Sequence, residues 1–295
     1  MPWIYLVLIA QFINAAVVLL DKFLLTSKSV ARPLVYVFYV SLLSGVAVFI
    51  LPFGVVSWPT WTVTFLSLFT GVTFTLSIYF LYSALFSTDA SDVAPAVGAV
   101  TALATLFFSF LFLGGVLTGN FLLGFVGLVT GMALMSYFRF NRWETSFVLL
   151  AGIFFALSAI TVKMLFNSTP FWNGFFWSRL GNVAAALPLL LWSANRKMFW
   201  HNVQQSSLKT KSLVVISKFL AGTAFLLILL SIKLGNVSLV NALAGTQFVF
   251  LLLFALIFTK KFPGYFYESV HHHTAVRQKV LATLLIVAGY FLLFI

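Results

Sequence analysis

The sequence has no cysteine and very little charge. With no cysteine among its 295 residues, disulfide bonds and thiol chemistry are excluded. Charged residues make up only 7% of the chain, and just five of them are acidic. Hydrophobic residues, by contrast, make up 62%. A soluble domain cannot bury so much apolar surface, so we predict that the chain is embedded in a lipid bilayer.

Ten apolar stretches are long enough to form transmembrane helices, each of which needs about 20 residues. Little of the chain is left over for a soluble domain, and the first residues run directly into a long apolar stretch. We therefore predict an all-α integral membrane protein with ten transmembrane helices. The predicted spans cover residues 3–24, 33–51, 62–85, 91–113, 119–138, 146–166, 172–193, 213–233, 237–258 and 279–295.

The two halves of the chain are related by an internal repeat. The segment AQFINAAVVLLDKFLL, which begins at Ala10, aligns without gaps with AGIFFALSAITVKMLF, which begins at Ala151. This alignment pairs Lys22 with Lys163. Because each half holds an odd number of spans, the second copy must enter the membrane from the opposite side. We predict two inverted five-helix repeats, residues 1–140 and 141–295.

The basic residues are distributed unevenly along the chain, which has a net charge of +12. Twelve lysines and arginines lie in connections that follow odd-numbered spans, whereas only Lys233 lies in a connection after an even-numbered span. The positive-inside rule then places the odd connections in the cytoplasm and both termini outside a cytoplasmic membrane. Anionic lipid headgroups account for the basic excess, so we expect the bilayer as partner and no nucleic acid.

Charged side chains inside a span are costly in lipid and are the first candidates for function. Arg179 would lie about 10 Å deep in span seven, where it must face a wet cavity, a carboxylate or an anionic ligand. Both a binding role and a structural pairing fit this depth. Lys22 and Lys163 lie near span ends, where they can act as gates or extend to the headgroups.

Neutral polar side chains extend the predicted site. Trp177 beside Arg179 could stack on a ligand, and amides or a hydroxyl within the spans could donate hydrogen bonds. All five acidic residues lie near span ends or in loops, which favours an anionic or zwitterionic substrate. The predicted substrate-binding residues are Arg179, Trp177, Asn182, Tyr82, Asn241 and Gln247, with Lys22 and Lys163 as gate residues.

Metal binding and catalysis are not expected. The adjacent His271, His272 and His273 cannot all point at one ion from a regular helix, and no cysteine or carboxylate cluster supports them. A membrane enzyme would need a clustered catalytic set within the spans, which the scattered acids and loop histidines do not provide. We therefore expect no cofactor, no metal and no enzymatic activity.

The segment GFVGLVTG predicts a close helix contact, because Gly127 and Gly131 form a GxxxG pair. Such a pair lets two backbones approach closely. The contact can lie within one subunit or between two copies in a homodimer, and the sequence is consistent with either.

The chain resembles the EamA-type ten-helix permeases of the drug/metabolite transporter superfamily over nearly its whole length. The matching stretches are YSALFSTDASDVAPAVGAVTALATLFFSFLFLGGVLTGNFLLGFVGLVTGMAL in the first half, and LSIKLGNVSLVNALAGTQFVFLLLFALIF followed by KVLATLLIVAGYFLLF in the second. It departs from the family in having Gly114-Gly115 where Gly-Glu is frequent, and Asn241 where Pro95 stands in the first half. The resemblance implies a central cavity lined by both halves and transport of small metabolites.

These observations predict a secondary transporter that moves a small anionic or zwitterionic metabolite by alternating access. Two alternatives stay open at this point. One is a flippase for a lipid-linked substrate, and the other is a membrane scaffold subunit that transports nothing.

Overall fold

The structure is a computed structural model that describes residues 2–26, 33–88, 90–115, 119–136, 140–191, 195, 208–258 and 273–293. Within these ranges all regular secondary structure is helical. The α-helices are α1 (Pro2–Thr26), α2 (Pro33–Leu43), α3 (Trp61–Ser87), α4 (Ala90–Leu113), α5 (Asn120–Met135), α6 (Arg142–Ser168), α7 (Phe171–Ala186), α8 (Leu208–Leu234), α9 (Val237–Ala242), α10 (Thr246–Phe258) and α11 (His273–Leu292). Three 3₁₀ segments, Ser44–Phe53, Leu187–Leu191 and Leu243–Gly245, extend α2, extend α7 and join α9 to α10.

Six helical segments in these ranges are long and apolar enough to cross a membrane: Pro33–Phe53, Trp61–Ser87, Asp92–Leu113, Arg142–Ser168, Phe171–Leu191 and Val215–Leu234. Three shorter apolar helices accompany them, at Pro2–Val18, Phe121–Met135 and Val237–Leu251. Large apolar side chains face outward along these helices, including Phe49, Phe107 and Phe219. The protein is therefore an all-helical, membrane-embedded protein, which confirms the prediction at this level.

Local sequence sets several helix ends. Asn141 caps α6 by accepting from the backbone N–H groups of Trp143 and Glu144, both at 2.9 Å. The Glu144 carboxylate in turn accepts from the Asn141 N–H at 2.8 Å, which completes a capping box. Asn236 caps α9 in a similar way through the Ser238 and Leu239 N–H groups. Each of these caps satisfies donors that a helix start leaves unpaired.

Helix α3 lies at the centre of one group of contacts, where it packs on both α6 and α7, and α6 packs in turn on α4. A second group joins α1 to α8 and α10. Helices α5 and α11 form a third extensive contact, and α4 packs on α9 and α5.

The glycines of α5 pack on α11 of the same chain. A Cβ atom on Gly127 would lie 2.9 Å from the Gly289 Cα, and one on Gly131 would lie 2.9 Å from the Ala282 carbonyl oxygen. Gly124 likewise approaches the Gly289 carbonyl. The predicted close contact therefore forms within one subunit, and a homodimer would have to use another surface.

Tryptophans at helix ends show two different environments. Trp58, Trp61 and Trp143 are 92%, 90% and 76% exposed, as expected for side chains at headgroup depth. Trp3 is buried instead, since its indole covers the flat backbone of Gly235. A Cβ atom at Gly235 would clash with that ring, so the start of α1 is fitted to the end of α8.

Candidate functional site

Arg179 of α7 lies inside the helix assembly and is only 6% exposed. Its guanidinium carbon lies 4.6 Å from the ring centroid of Phe225 on α8, 5.6 Å from that of Phe74 on α3 and 5.8 Å from that of Phe175 on its own helix. The negative faces of aromatic rings attract a cation at these distances. We refer to Arg179 with Phe74, Phe175 and Phe225 as the arginine cage.

The hydrogen bonds of Arg179 leave part of the guanidinium without an acceptor among the described residues. The Asn182 amide is best oriented with its oxygen toward Arg179, where it accepts from Nη1 at 3.1 Å and from the Ser44 hydroxyl at 3.3 Å. Nε reaches only the Ser178 hydroxyl, at 3.5 Å. Nη2 is buried and has no acceptor among the described residues. Buried donors are nearly always paired, so this unpaired N–H marks a place where a ligand or water can bind.

The arginine cage lies at mid-height in the helix assembly. Phe74 is the central residue of α3, and Phe155 is the central residue of α6. The Phe74 ring contacts the rings of Phe225, with centroids 5.5 Å apart, and of Phe155, at 6.3 Å. Arg179 therefore lies against the midpoints of helices long enough to span a bilayer.

A close approach of α3 to α7 brings the cage together. A Cβ atom on Gly71 would clash with the Gly181 carbonyl oxygen, and one on Gly181 would clash with the Ser67 carbonyl oxygen. Glycine is required at both positions because the backbones touch there. The same turns of α3 hold two more buried and unpaired groups, since the hydroxyls of Ser67 and Thr70 have no partner among the described residues.

Of the predicted binding residues, Asn182 lies with Arg179, whereas Trp177 and Asn241 have other partners. The Trp177 indole N–H donates to the Ser57 carbonyl at 3.0 Å, and its ring packs against the apolar cluster around Val63 and Leu165. The Asn241 amide donates to the Thr105 hydroxyl at 2.7 Å and thereby joins α9 to α4.

The two remaining predicted binding residues are half-buried. Tyr82 lies on α3, eight residues beyond Phe74, and Gln247 lies in the first turn of α10. Gln247 lies two residues after the 3₁₀ segment Leu243–Gly245, which interrupts the ninth predicted span. Helices interrupted in mid-span often form binding sites in membrane proteins, so Gln247 stays a candidate binding residue.

Lys163, predicted as a gate residue, binds the end of a neighbouring helix. Its ammonium donates to the carbonyl oxygens of Ile232 at 2.7 Å, Lys233 at 3.1 Å and Gly235 at 2.9 Å. These carbonyls end α8 and lack helical partners, so the lysine satisfies them. The side chain of Lys22, with which the sequence alignment pairs Lys163, and those of His271, His272 and His273 lie outside the part of the chain that the structure describes.

No motif in the sequence marks the phenylalanines of the cage, or Ser67 and Thr70. With 36 phenylalanines in the chain, no single one carries a signal in the pattern. The one clue was composition at the helix centre: Gly71 and its polar neighbours interrupt an otherwise apolar span. Small and polar residues in this arrangement are typical of close helix contacts in membranes.

Comparisons with known proteins bear on the fold. No protein-family model and no curated protein sequence matches the chain. A solved crystal structure of a protein aligns with 97% of this chain and 97% of its own, with a TM-score of 0.63 and 17% sequence identity. At this identity the likeness establishes a shared fold over nearly the whole length of both chains.

Proposed function

We propose that the protein is a ten-helix secondary transporter of a small anionic or zwitterionic metabolite, built from two inverted five-helix repeats and working by alternating access. The observation that carries the proposal is the buried Arg179 guanidinium at mid-height, with an N–H that no described residue accepts. A charge at that depth is expensive in a membrane protein and is generally retained for function.

Contacts between helices support the repeat. In the proposed correspondence α1 to α5 match α6, α7, α8, the α9–α10 pair and α11. The contact of α3 with α6 then corresponds to that of α1 with α8, and the contact of α4 with α6 to that of α1 with α10. Helices α5 and α11 correspond to each other, and they pack together as a two-fold relation requires. The extensive contact of α3 with α7 is the exception, because among the described residues α2 and α8 do not pack as closely.

Contacts between helix ends support ten alternating spans. The proposed topology places one set of helix ends outside and the other in the cytoplasm. The hydrogen bonds and close contacts between helix ends, among the described residues, join ends that this topology places on the same side of the membrane. Outside, they join Trp3 to Ser231, Ser57 to Asn173, Lys163 to Gly235 and Gly124 to Leu293; inside, they join Gln278 to Leu134.

In this mechanism Arg179 binds the negative group of the substrate, and Asn182 orients the Arg179 guanidinium. The unpaired Nη2 donates to the anion, while the phenylalanine rings hold the guanidinium in place through their faces. Rocking of one helix group against the other would expose this position first to one side of the membrane and then to the other.

Counterflow in proteoliposomes tests the proposal. Vesicles loaded with a pooled metabolite extract are assayed for solute exchange, with and without a pH gradient, for the wild type and for Arg179→Gln and Arg179→Lys. We expect selective exchange of an anionic or zwitterionic class, a loss of at least about tenfold in Arg179→Gln and partial retention in Arg179→Lys, because a charge-assisted hydrogen bond is lost or weakened.

Arg142→Gln is the matched control, since Arg142 is an exposed arginine at the start of α6. It should exchange solutes as the wild type does. Wild-type exchange that is unchanged in Arg179→Gln would remove Arg179 from the site. Absence of exchange by correctly folded wild type would contradict transport of soluble metabolites, and would favour a lipid-linked substrate or a scaffold role.

A further inference from the structure

We infer that the ligand of the arginine cage is a monocarboxylate carried on a flat aromatic ring. This inference rests on the proposed function and narrows it, from an anionic or zwitterionic metabolite to an aryl carboxylate of single negative charge. Three features of the cage carry it: the free edge of the guanidinium, the partly open aromatic wall and the single charge.

The guanidinium presents its edge to a ligand. The phenylalanine rings lie at cation–π distances from it, and Asn182 uses one N–H of Nη1. Nη2 has no acceptor in the described part of the chain, so the Nη1–Nη2 edge keeps N–H groups available. Two parallel N–H groups on this edge match the two oxygens of a carboxylate.

The wall around this edge is aromatic and partly open. Phe74, Phe175 and Phe225 are each half-buried, whereas Arg179 is almost fully buried. The three phenylalanines are therefore not fully packed within the protein. The Phe74 and Phe225 rings are tilted by 50° to each other, with centroids 5.5 Å apart. A further aromatic ring gains from offset and edge-to-face contacts of this kind, which an aliphatic ring cannot make.

Charge selects a single negative group. Lys163 lies at a helix end and uses its ammonium on three carbonyls, so it does not add to the cage. Lys218 lies seven residues before Phe225 on α8, about 10 Å along the helix axis. One arginine among phenylalanines suits a monoanion better than a phosphate or a dicarboxylate, which need several donors and cations.

The same surroundings disfavour a zwitterion. Two acids have described side chains: Asp92 and Glu144 lie in the first turns of α4 and α6, and Glu144 is held in the capping box of α6. The centre of α3 at Phe74 is 13 residues from the end of that helix, about 20 Å away along its axis. An α-ammonium group on a ligand in the cage would have neither of these two carboxylates beside it.

Equilibrium dialysis with the detergent-purified full chain tests this inference separately from transport. The probes are benzoate, cyclohexanecarboxylate, phenylalanine and inorganic phosphate. We expect benzoate to bind about three- to tenfold more tightly than cyclohexanecarboxylate, which has the same charge but no aromatic ring. Phenylalanine and phosphate should not displace benzoate, and Arg179→Gln should not bind it.

Phe225→Leu should reduce the preference for benzoate to below about twofold, because it removes the closest ring and keeps apolar volume. Phe107→Leu, at a 62% exposed position on α4, is the matched control and should keep the preference. If Phe225→Leu does not give a monodisperse protein, Phe74→Leu takes its place, since Phe74 is the next closest ring at 5.6 Å.

The outcomes separate the two proposals. Benzoate binding with the expected variant pattern supports the aryl carboxylate, even if counterflow finds no exchange. Equal binding of the two ring acids, displacement by phenylalanine or phosphate, or an unchanged preference in Phe225→Leu would overturn it. If counterflow nevertheless finds Arg179-dependent exchange of other anions, the transporter proposal stands and this inference fails.

Discussion

Lys163 on α6 and Lys233 on α8 each bind the carboxyl end of the other's helix. The Lys163 ammonium donates to the carbonyls of Ile232, Lys233 and Gly235, and the Lys233 ammonium donates to the Phe166 carbonyl. Both ends carry unpaired carbonyls and the negative pole of a helix dipole, so a lysine is favourable at each. The pair joins α6 to α8 without any carboxylate.

Replacing Lys163 by methionine should lower the free energy of unfolding by about 1.5–3 kcal/mol, the range for hydrogen bonds to charged groups. Methionine keeps the length of the side chain but leaves three half-buried carbonyls unpaired. The change is measured by thermal unfolding in detergent. Arg142→Gln removes a positive charge from an exposed position and should change stability by less than about 0.5 kcal/mol. Equal effects of the two variants would show that the carbonyl bonds contribute little.

Gly181→Ala should destabilise the protein by about 1–3 kcal/mol, since its methyl group would overlap the Ser67 carbonyl and force α3 away from α7. Gly222→Ala is the matched control, because a Cβ at this exposed position on α8 meets no atom within 4 Å. That substitution should leave stability unchanged or raise it by up to about 1 kcal/mol. Chemical or thermal unfolding of both variants checks the pair; a Gly181→Ala protein as stable as Gly222→Ala would contradict the close approach.

Asn241 and Thr105 should show a coupling free energy of about 0.6 kcal/mol, a typical value for hydrogen bonds between membrane helices. The Thr105 hydroxyl donates to the Thr101 carbonyl at 2.6 Å and accepts from the Asn241 amide at 2.7 Å. A double-mutant cycle with Asn241→Ala and Thr105→Val measures the coupling. Thr130→Val provides a control, since this exposed threonine bonds only carbonyls of its own helix among the described residues. Additive effects of the first two substitutions would mean that their bond does not hold α9 to α4.

Composition and position along the chain predicted those features of the structure that depend on the surrounding lipid. The helical, membrane-embedded fold follows from long apolar stretches, because lipid leaves a backbone no partners except its own. The depth of Arg179 within its span predicted its burial in the same way.

Features that depend on which helices meet could not be read from the sequence. Lys163 was expected to act as a gate or to extend toward headgroups, but its partners lie about 70 residues further along the chain. Trp177 and Arg179 are two residues apart on α7. Because a helix turns by about 200° over two residues, their side chains point to different neighbours. The break at Leu243–Gly245 also had only a glycine to indicate it.

The contact of Gly71 with Gly181 has a mechanical consequence. Where two helix backbones touch at glycines, sliding one helix along the other would bring larger side chains into the contact and cause steric overlap. Phe74 and Arg179, which lie on these two helices, therefore travel together in any rearrangement. Phe225 belongs to a third helix, α8. The distance between Arg179 and Phe225 is thus the dimension of the cage that the proposed rocking would change, and a spectroscopic label on α8 paired with one on α7 would measure that change.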